Sequence, residues 1–284
     1  MFFKSLLPIL LTFVFIGNAF ADDVALTTNS GGSDTSYRIG SKEYLRSYWT
    51  DGIKLASAPA RWDGEDWLKA GVVLGVTAGL YTFDARIQNW SQKNRNERGN
   101  SSDDVAVIFK NFWDEAYLFP GLAALYVYGH IADSERARAT TMLSLQSWFY
   151  SSVVTEGLKL TVHRHRPNTG DAYDRFDGPG ASSSNLSFPS GHASTAFSIA
   201  TVIANEYDDI GAVPPIAYTA ATLAALSRVN DNEHWASDVF FSSACGYFIG
   251  KTMIRWHKPD SYAKLIIIPV FDGRNAMVYM DYAF

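Results

Sequence analysis

Six apolar segments separated by polar stretches most constrain the fold of this 284-residue chain. Most of them have 12 to 17 residues and are rich in Ala, Leu, Gly and aromatic residues, which favours helices over strands. Typical helix-start residues mark three of them: Asp66 precedes the first, Ser190 precedes the fourth, and Pro214-Pro215 opens the fifth. The pattern predicts an all-α helical bundle of about six core helices, formed by Trp67–Phe83, Tyr117–Ile131, Met142–Lys159, Ala193–Ala204, Pro215–Leu226 and Val239–Ile254.

The two ends of the chain differ from this bundle. Residues 1–21 carry Lys4, an apolar run and a small-x-small ending, which is typical of a cleaved secretory signal; an uncleaved membrane anchor is the alternative. Residues 22–66 are first polar and then aromatic, and we interpret them as an N-terminal extension. In residues 258–284, two apolar runs flank Asp272-Gly273, which predicts a short C-terminal β-hairpin. The helical domain then covers residues 67–257.

Two arrangements relative to a membrane fit the apolar segments. A spanning helix needs about 20 apolar residues, and most of these segments are shorter; several also contain charges such as Glu156 and Lys251. The chain is 47% hydrophobic, yet its mean hydropathy is only −0.06. We therefore expect an exported, periplasmic or envelope-associated helical domain at a membrane surface, with a multi-span protein as the alternative.

Charge and cysteine content exclude some classes of protein. The net charge of −5 argues against a nucleic-acid binder, because such proteins need a broad basic face. Cys245 is the only cysteine, so no intramolecular disulfide can form. Any anion site in this chain must therefore be built from a local group of basic residues.

The first candidate cluster contains Lys159, Arg166 and Pro167. A helix continued to Arg166 would place both basic residues on one face, and Pro167 would end it there. Arg can bind a phosphate with two parallel hydrogen bonds and Lys as a point charge. A solvated basic helix end is the simpler interpretation. The intervening residues His163, Arg164 and His165 are expected to be surface or supporting groups rather than ligands.

The second cluster is Pro189-Ser190-Gly191-His192, directly before an apolar segment. Ser190 is a natural N-cap, and Gly191 permits close approach of an anion to the first helical amides. His192 then lies in the first turn of the helix. A well-capped helix with an exposed histidine is the simpler interpretation.

The third cluster joins Ser227-Arg228 to His234 and Asp238. Arg228 ends one apolar segment, and the other two residues are four apart at the start of the next. A carboxylate bound to one imidazole nitrogen would fix the tautomer and leave the other nitrogen as a nucleophile. For a single His–Asp pair, a structural hydrogen bond is the simpler interpretation.

Together the clusters resemble the type 2 phosphatidic acid phosphatase and vanadium haloperoxidase superfamily. Its signature K-x6-R-P, P-S-G-H and S-R-x5-H-x3-D is matched here in order and without a gap. The resemblance covers about residues 110–255. It implies a helical bundle with the site at one end.

The resemblance also implies the residue roles. His234 would attack phosphorus, Asp238 would orient His234, and His192 would protonate the leaving alkoxide and then activate water. The phosphate would be held by Lys159, Arg166, Ser190, Gly191 and Arg228. Three cations and helix-end amides supply the charge compensation that phosphoryl transfer requires, so we expect neither a metal nor a cofactor.

The expected function is a metal-independent phosphatase that acts on phosphate monoesters through a phosphohistidine. Lipid substrates fit the apolar helices, for example phosphatidic acid, phosphatidylglycerol phosphate, isoprenyl pyrophosphate or lipid A; a soluble phosphoester is the other option. Two alternatives stay open. The same pocket could bind vanadate in a haloperoxidase, and six apolar segments also fit a non-catalytic membrane or transport protein.

Overall fold

The structure is a computed structural model that describes residues 41–98, 113–180, 185–257, 264–271 and 276–283. The part up to residue 257 is built from helices, as predicted. They are α1 Lys42–Ala56, α2 Gly64–Arg98, α3 Glu115–Ile131, α4 Glu135–Val162, α5 Gly191–Glu206, α6 Val213–Asn230 and α7 Ala236–His257, with 3-10 turns at Ala58–Arg61 and Pro167–Thr169.

Each of the six predicted segments lies within a helix of the structure, α2 to α7, and the all-α class is confirmed. α2 is much longer than its apolar segment, because the polar residues that follow Phe83 continue the helix to Arg98. Its start also differs from the prediction. Asp63, not Asp66, caps it by accepting hydrogen bonds from the amides of Glu65 (2.8 Å) and Asp66 (2.9 Å).

Helix α5 lies at the centre of the bundle, and its residues 193–202 are buried. It packs against α4 and α6, while α3 packs on α4 and α2 contacts α6. α7 approaches α5 at Gly246 and Gly250, where an added Cβ would lie 2.3 Å from Ser194 O and 2.7 Å from Ser198 O. These two glycines therefore allow the backbones of α5 and α7 to come into contact.

Helix α1 falls within the predicted N-terminal extension and is attached to α4 by polar contacts. The Tyr44 hydroxyl donates to Met142 O (3.2 Å), and the amide of Gln146 donates to the buried Asp51 carboxylate (2.7 Å). Tyr150 also donates to the backbone of Tyr48. The inward face of α1 is thus aromatic and polar.

The chain divides into two compact units, residues 32–253 and residues 1–31 with 254–284. In the second unit, strands β1 Lys264–Phe271 and β2 Ala276–Ala283 pair antiparallel, with Lys264 opposite Ala283 and Phe271 opposite Ala276. The predicted turn Asp272-Gly273 and the predicted signal at 1–21 lie outside the described residues.

Among the described residues, no helix combines the length and the apolar character needed to cross a membrane.

Candidate active site

The end of α4 differs from the sequence-based prediction. The helix does not continue to Arg166 but stops at Val162, because His163 adopts the left-handed conformation (φ 45°) at its C-cap. Residues beyond it run extended, and Arg164 pairs with Phe176 as an isolated bridge. The prediction that Lys159 and Arg166 share a helical face was therefore wrong, and they reach the site from a helix and a loop respectively.

Lys159, from the first cluster, lies close to Gly191, from the second cluster. It lies in the last turn of α4, and its Nζ would be 3.5 Å from a Cβ built on Gly191, the first residue of α5. The ammonium group therefore lies beside the amino end of α5, where backbone amides have no helical partner. Lys159 Nζ also donates to Glu156 Oε1 (2.7 Å).

The second cluster forms the start of α5, as predicted. Ser190 is the N-cap residue, but its side chain makes no capping hydrogen bond; its amide donates to Ser242 Oγ (2.6 Å). Ser190 Oγ is buried and has no hydrogen-bond partner among the described residues. His192 is half-buried at the second position of the helix. A buried hydroxyl without a partner fits the predicted role of Ser190 in anion binding.

Two guanidinium groups complete the basic lining, and each has a carboxylate partner. Arg228 is buried at the end of α6 and forms an ion pair with Asp231. Arg166 forms an ion pair with Glu233, whose other oxygen accepts from Asn168 Nδ2 (3.2 Å). Burial lowers the pKa of Arg228, and the nearby charge of Arg166 lowers it further. The two guanidinium groups therefore lie close enough to repel each other.

His234 lies among these cations. Its side chain is buried, and Nδ1 lies 2.6 Å from the backbone carbonyl of Ser187. Since a carbonyl oxygen only accepts, Nδ1 carries the proton and the lone pair is on Nε2. Burial, and then the charge of Arg166, lower the pKa of His234 well below its usual value; Lys159 and Arg228 add to this, and the Ser187 carbonyl opposes it. His234 is therefore held as neutral imidazole.

The predicted hydrogen bond from His234 to Asp238 was wrong. His234 precedes α7, which begins at Ala236, so the spacing of four does not span a helical turn. Asp238 is the third residue of α7, and its Oδ2 turns back to accept from the amide of Trp235 (3.0 Å), as in a capping box. The same oxygen accepts from Ser187 Oγ (2.6 Å). Asp238 thus contacts the residue that binds His234, and not the imidazole itself.

Arg164 lies inside a buried network that its place in the sequence did not indicate. It is not a surface group, because only 1% of its side chain is exposed. Its guanidinium donates to Asp238 Oδ1 (2.5 Å), Ser237 Oγ (2.8 Å) and Asp84 Oδ2 (2.8 Å). Its place inside the basic run was the only signal, and its role as a supporting group agrees with the prediction.

The two neighbouring histidines differ from each other. His163 is buried, with 3% exposed, so of the two expected placements, at the surface or as a supporting group, the first does not apply. His165 lies between Asp171 (Nδ1 to Oδ2, 2.7 Å) and Asp177 (Nε2 to Oδ1, 3.0 Å). These two carboxylates raise the pKa of His165, Asp171 more than Asp177.

Two further residues were missed altogether. Ser187 directly precedes the Phe188-Pro189-Ser190-Gly191-His192 run, and this adjacency was the only available signal. Asp84 lies in α2, far from the three clusters in sequence, and nothing in its local sequence marks it. Both are completely buried.

Part of the chain matches proteins of known family. Residues 140–262 match the sequence profile of the PAP2 superfamily. A stretch of 78 residues is 41% identical to a lipid A 1-phosphatase of Porphyromonas gingivalis; it covers 27% of this chain but only 17% of that protein.

A solved structure shares the fold. The transmembrane PAP2-type phosphatidylglycerolphosphate phosphatase from Bacillus subtilis superposes with a TM-score of 0.51 at 19% identity, over 68% of this chain and 97% of that one. At this identity the likeness concerns the fold alone. The profile match contains all three clusters in order, so the part of the chain that carries the candidate site is similar in sequence to the PAP2 superfamily.

Proposed function

We propose that this chain is a phosphatase that hydrolyses a lipid phosphate monoester through a covalent phosphohistidine on His234. One observation carries the proposal: a buried, neutral imidazole keeps its Nε2 lone pair while the positive charges of Lys159, Arg166 and Arg228 all act on the same ring. A nucleophile surrounded by cations is what transfer of a dianionic phosphoryl group requires.

In the first step, Nε2 of His234 attacks phosphorus in line. The N–P bond forms as the P–O bond to the alkoxide breaks, and His192 gives its proton to the alkoxide oxygen. The three cations compensate the negative charge of the equatorial phosphate oxygens. The phosphate therefore competes for these cations with their carboxylate partners Glu156, Asp231 and Glu233.

In the second step, water attacks the phosphohistidine. His192, now neutral, accepts a proton from the water as the new P–O bond forms and the N–P bond breaks. Inorganic phosphate leaves, and both imidazoles return to their starting states. Ser190 Oγ and the Gly191 amide lie at the helix start where phosphate oxygens would bind.

The lipid nature of the substrate is supported by the curated relative, which is named for action on lipid A. The surface of α1 supports it independently. While its inward face is polar, Leu45, Trp49 and Ile53 form an outward stripe at i, i+4 and i+8, with 61%, 74% and 54% of each residue exposed. Such a stripe fits the headgroup region of a bilayer, where Trp is favoured.

We further propose that this surface faces the membrane on the exported side, as the signal-like residues 1–21 suggest. The Trp62–Trp67 pair (ring centroids 5.0 Å apart), which is also exposed, follows α1 directly. Basic residues on α1, Lys42 and Arg46, are exposed next to the stripe and would attract anionic headgroups.

The activity is tested by phosphate release from phosphatidic acid in vesicles and from soluble p-nitrophenyl phosphate, with EDTA present. We expect release from the lipid, and a loss of more than about 1000-fold in His234→Ala, because the variant lacks the nucleophile. Full activity of His234→Ala, or bromide oxidation with peroxide and vanadate but no phosphate release, would contradict the proposal.

The same assay separates lipid access from chemistry. A triple variant, Leu45→Ser, Trp49→Ser and Ile53→Ser, should lose about tenfold or more on vesicles, because each side chain contributes apolar burial in the membrane. Its activity on p-nitrophenyl phosphate should stay unchanged, since these side chains point away from the bundle. Equal losses on both substrates would show that α1 does not act through the membrane.

A further inference from the structure

A buried chain of side chains runs from α2 to the nucleophile. It begins at Asp84, which is completely buried in the middle of α2. Oδ1 of Asp84 accepts from the amide of Ser237 (2.9 Å), and Oδ2 accepts from Ser237 Oγ (2.5 Å). Ser237 is the second residue of α7, so a carboxylate from another helix satisfies one of the unpaired amides at the start of α7.

Arg164 connects Asp84 to Asp238. Its guanidinium forms ion pairs with both carboxylates and donates Nε and Nη2 to the carbonyl of Tyr173 (3.1 and 2.7 Å). Rings of Tyr81, Phe176 and Trp235 surround it, with centroids 4.9 to 5.4 Å from Cζ. With this many contacts the guanidinium has one defined orientation, and it fixes the Asp238 carboxylate in turn.

The chain ends on the imidazole. Asp238 Oδ2 accepts from Ser187 Oγ (2.6 Å), and the carbonyl of the same Ser187 binds Nδ1 of His234 (2.6 Å). The Ser187 amide donates to the carbonyl of Arg164 (3.0 Å), so the arginine also holds this residue through its backbone. Ser187 is thus the joint between the ion-pair network and the ring.

We infer that Asp84 and Arg164 are positioning residues for His234, acting through Asp238 and Ser187. The inference rests on the proposed function, since it assumes that Nε2 of His234 reacts. Asp84 lies outside residues 140–262, the part that matches the superfamily profile. A segment of the chain that the profile does not include therefore completes the support of the nucleophile.

The pKa of Asp238 predicts how the activity depends on pH. Burial raises the pKa of Asp238 to about 6; Arg164, the Ser187 hydroxyl and the Trp235 amide lower it, and Asp84 raises it. A protonated Asp238 loses acceptor capacity and holds Ser187 less well. Activity of the wild-type protein should therefore decline as the pH falls through about 6.

The test is the pH dependence of kcat in Asp84→Asn, measured on p-nitrophenyl phosphate. The amide removes a negative charge near Asp238 and points donors at Ser237 or Arg164. We expect kcat to fall by roughly tenfold to 100-fold with a similar KM, and the acid limb to move to lower pH. Asp84→Glu keeps the charge and should recover part of kcat and the original acid limb.

Asp51→Asn is the matched control. Asp51 is a similarly buried carboxylate in α1, bound by Gln146 and Lys54, and it is not one of the residues of the network formed by Asp84, Arg164, Asp238 and Ser187. We expect wild-type kcat and an unchanged acid limb for this variant. If Asp84→Asn behaves in the same way while the wild-type protein is active, the inference is wrong and the phosphatase proposal stands. A wild-type protein that releases no phosphate from any ester contradicts the proposed function itself.

A second variant covers the case in which Asp84→Asn fails to fold. Ser187→Ala keeps the carbonyl that binds His234 and removes only the hydroxyl that joins it to Asp238. This variant should fold and should lose about tenfold in kcat, since the carbonyl is no longer fixed. Wild-type kcat in Ser187→Ala would contradict the proposed route from Asp84 to the ring.

Discussion

At the scale of single residues, His234 is bound by a backbone carbonyl, and the charges of three basic side chains act on its imidazole. Motif spacing had pointed to Lys159, Arg166, Arg228 and His234, and the charges of the three basic residues act on the imidazole of the fourth. The partner of that imidazole could not be predicted, because it is a backbone carbonyl, that of Ser187, and every residue has one. The spacing of His234 and Asp238 indicated a direct bond only on the assumption that both lie in the helix.

The state of His234 leads to a prediction about stability. Its pKa is lowered in the folded protein, so between the folded and unfolded pKa values the unfolded chain binds the extra proton. The contribution of the neutral His234 imidazole to the free energy of unfolding is therefore complete above about pH 6.5, the pKa of an unfolded histidine. It is lost progressively as the pH falls below that value. Denaturant unfolding at pH 7.5 and pH 5.5 should show a larger acid-induced loss in the wild-type protein than in His234→Gln. Identical losses would mean that the imidazole is not desolvated.

At the scale of elements, apolar segment length located all six core helices, but not their ends. α2 extends beyond its apolar part because polar helix-forming residues continue it, and α4 stops early because His163 is left-handed. Neither event leaves a clear trace in local composition. The contact of α5 with α7 could not be predicted from the sequence either, because a glycine in an apolar segment does not indicate which helix it faces.

That contact predicts opposite effects for glycine substitutions. Gly250→Ala places a Cβ 2.7 Å from Ser198 O, so α5 and α7 must separate, and we expect a loss of about 1–3 kcal/mol in the free energy of unfolding. Gly79→Ala, at a position where no atom of another described element lies within 4 Å of the new Cβ, should stabilise the protein by about 0.5–1 kcal/mol. Chemical denaturation of both variants measures the difference. A neutral Gly250→Ala would show that the helices are not in close contact there.

At the scale of the whole molecule, three stretches far apart in sequence meet at one end of the bundle, as the motif order predicted. Lys159 lies beside Gly191, and the positive charges of Arg166 and Arg228 both lower the pKa of His234. The sequence could not predict that α2 supports this end, because Asp84 belongs to no motif and its role depends on tertiary packing. The domain boundaries at residues 21, 66 and 257 and the location outside the inner membrane stay predictions.

The central claim, that His234 is the nucleophile, is tested most directly by trapping the covalent intermediate. His192→Ala should still be phosphorylated by p-nitrophenyl phosphate, because nitrophenolate leaves without a general acid, while hydrolysis of the phosphohistidine lacks its base. We predict a burst of one nitrophenolate per chain and, by mass spectrometry after a basic quench, one phosphoryl group on His234. Steady turnover without a phosphoenzyme, or a phosphoryl group on another residue, would contradict the account.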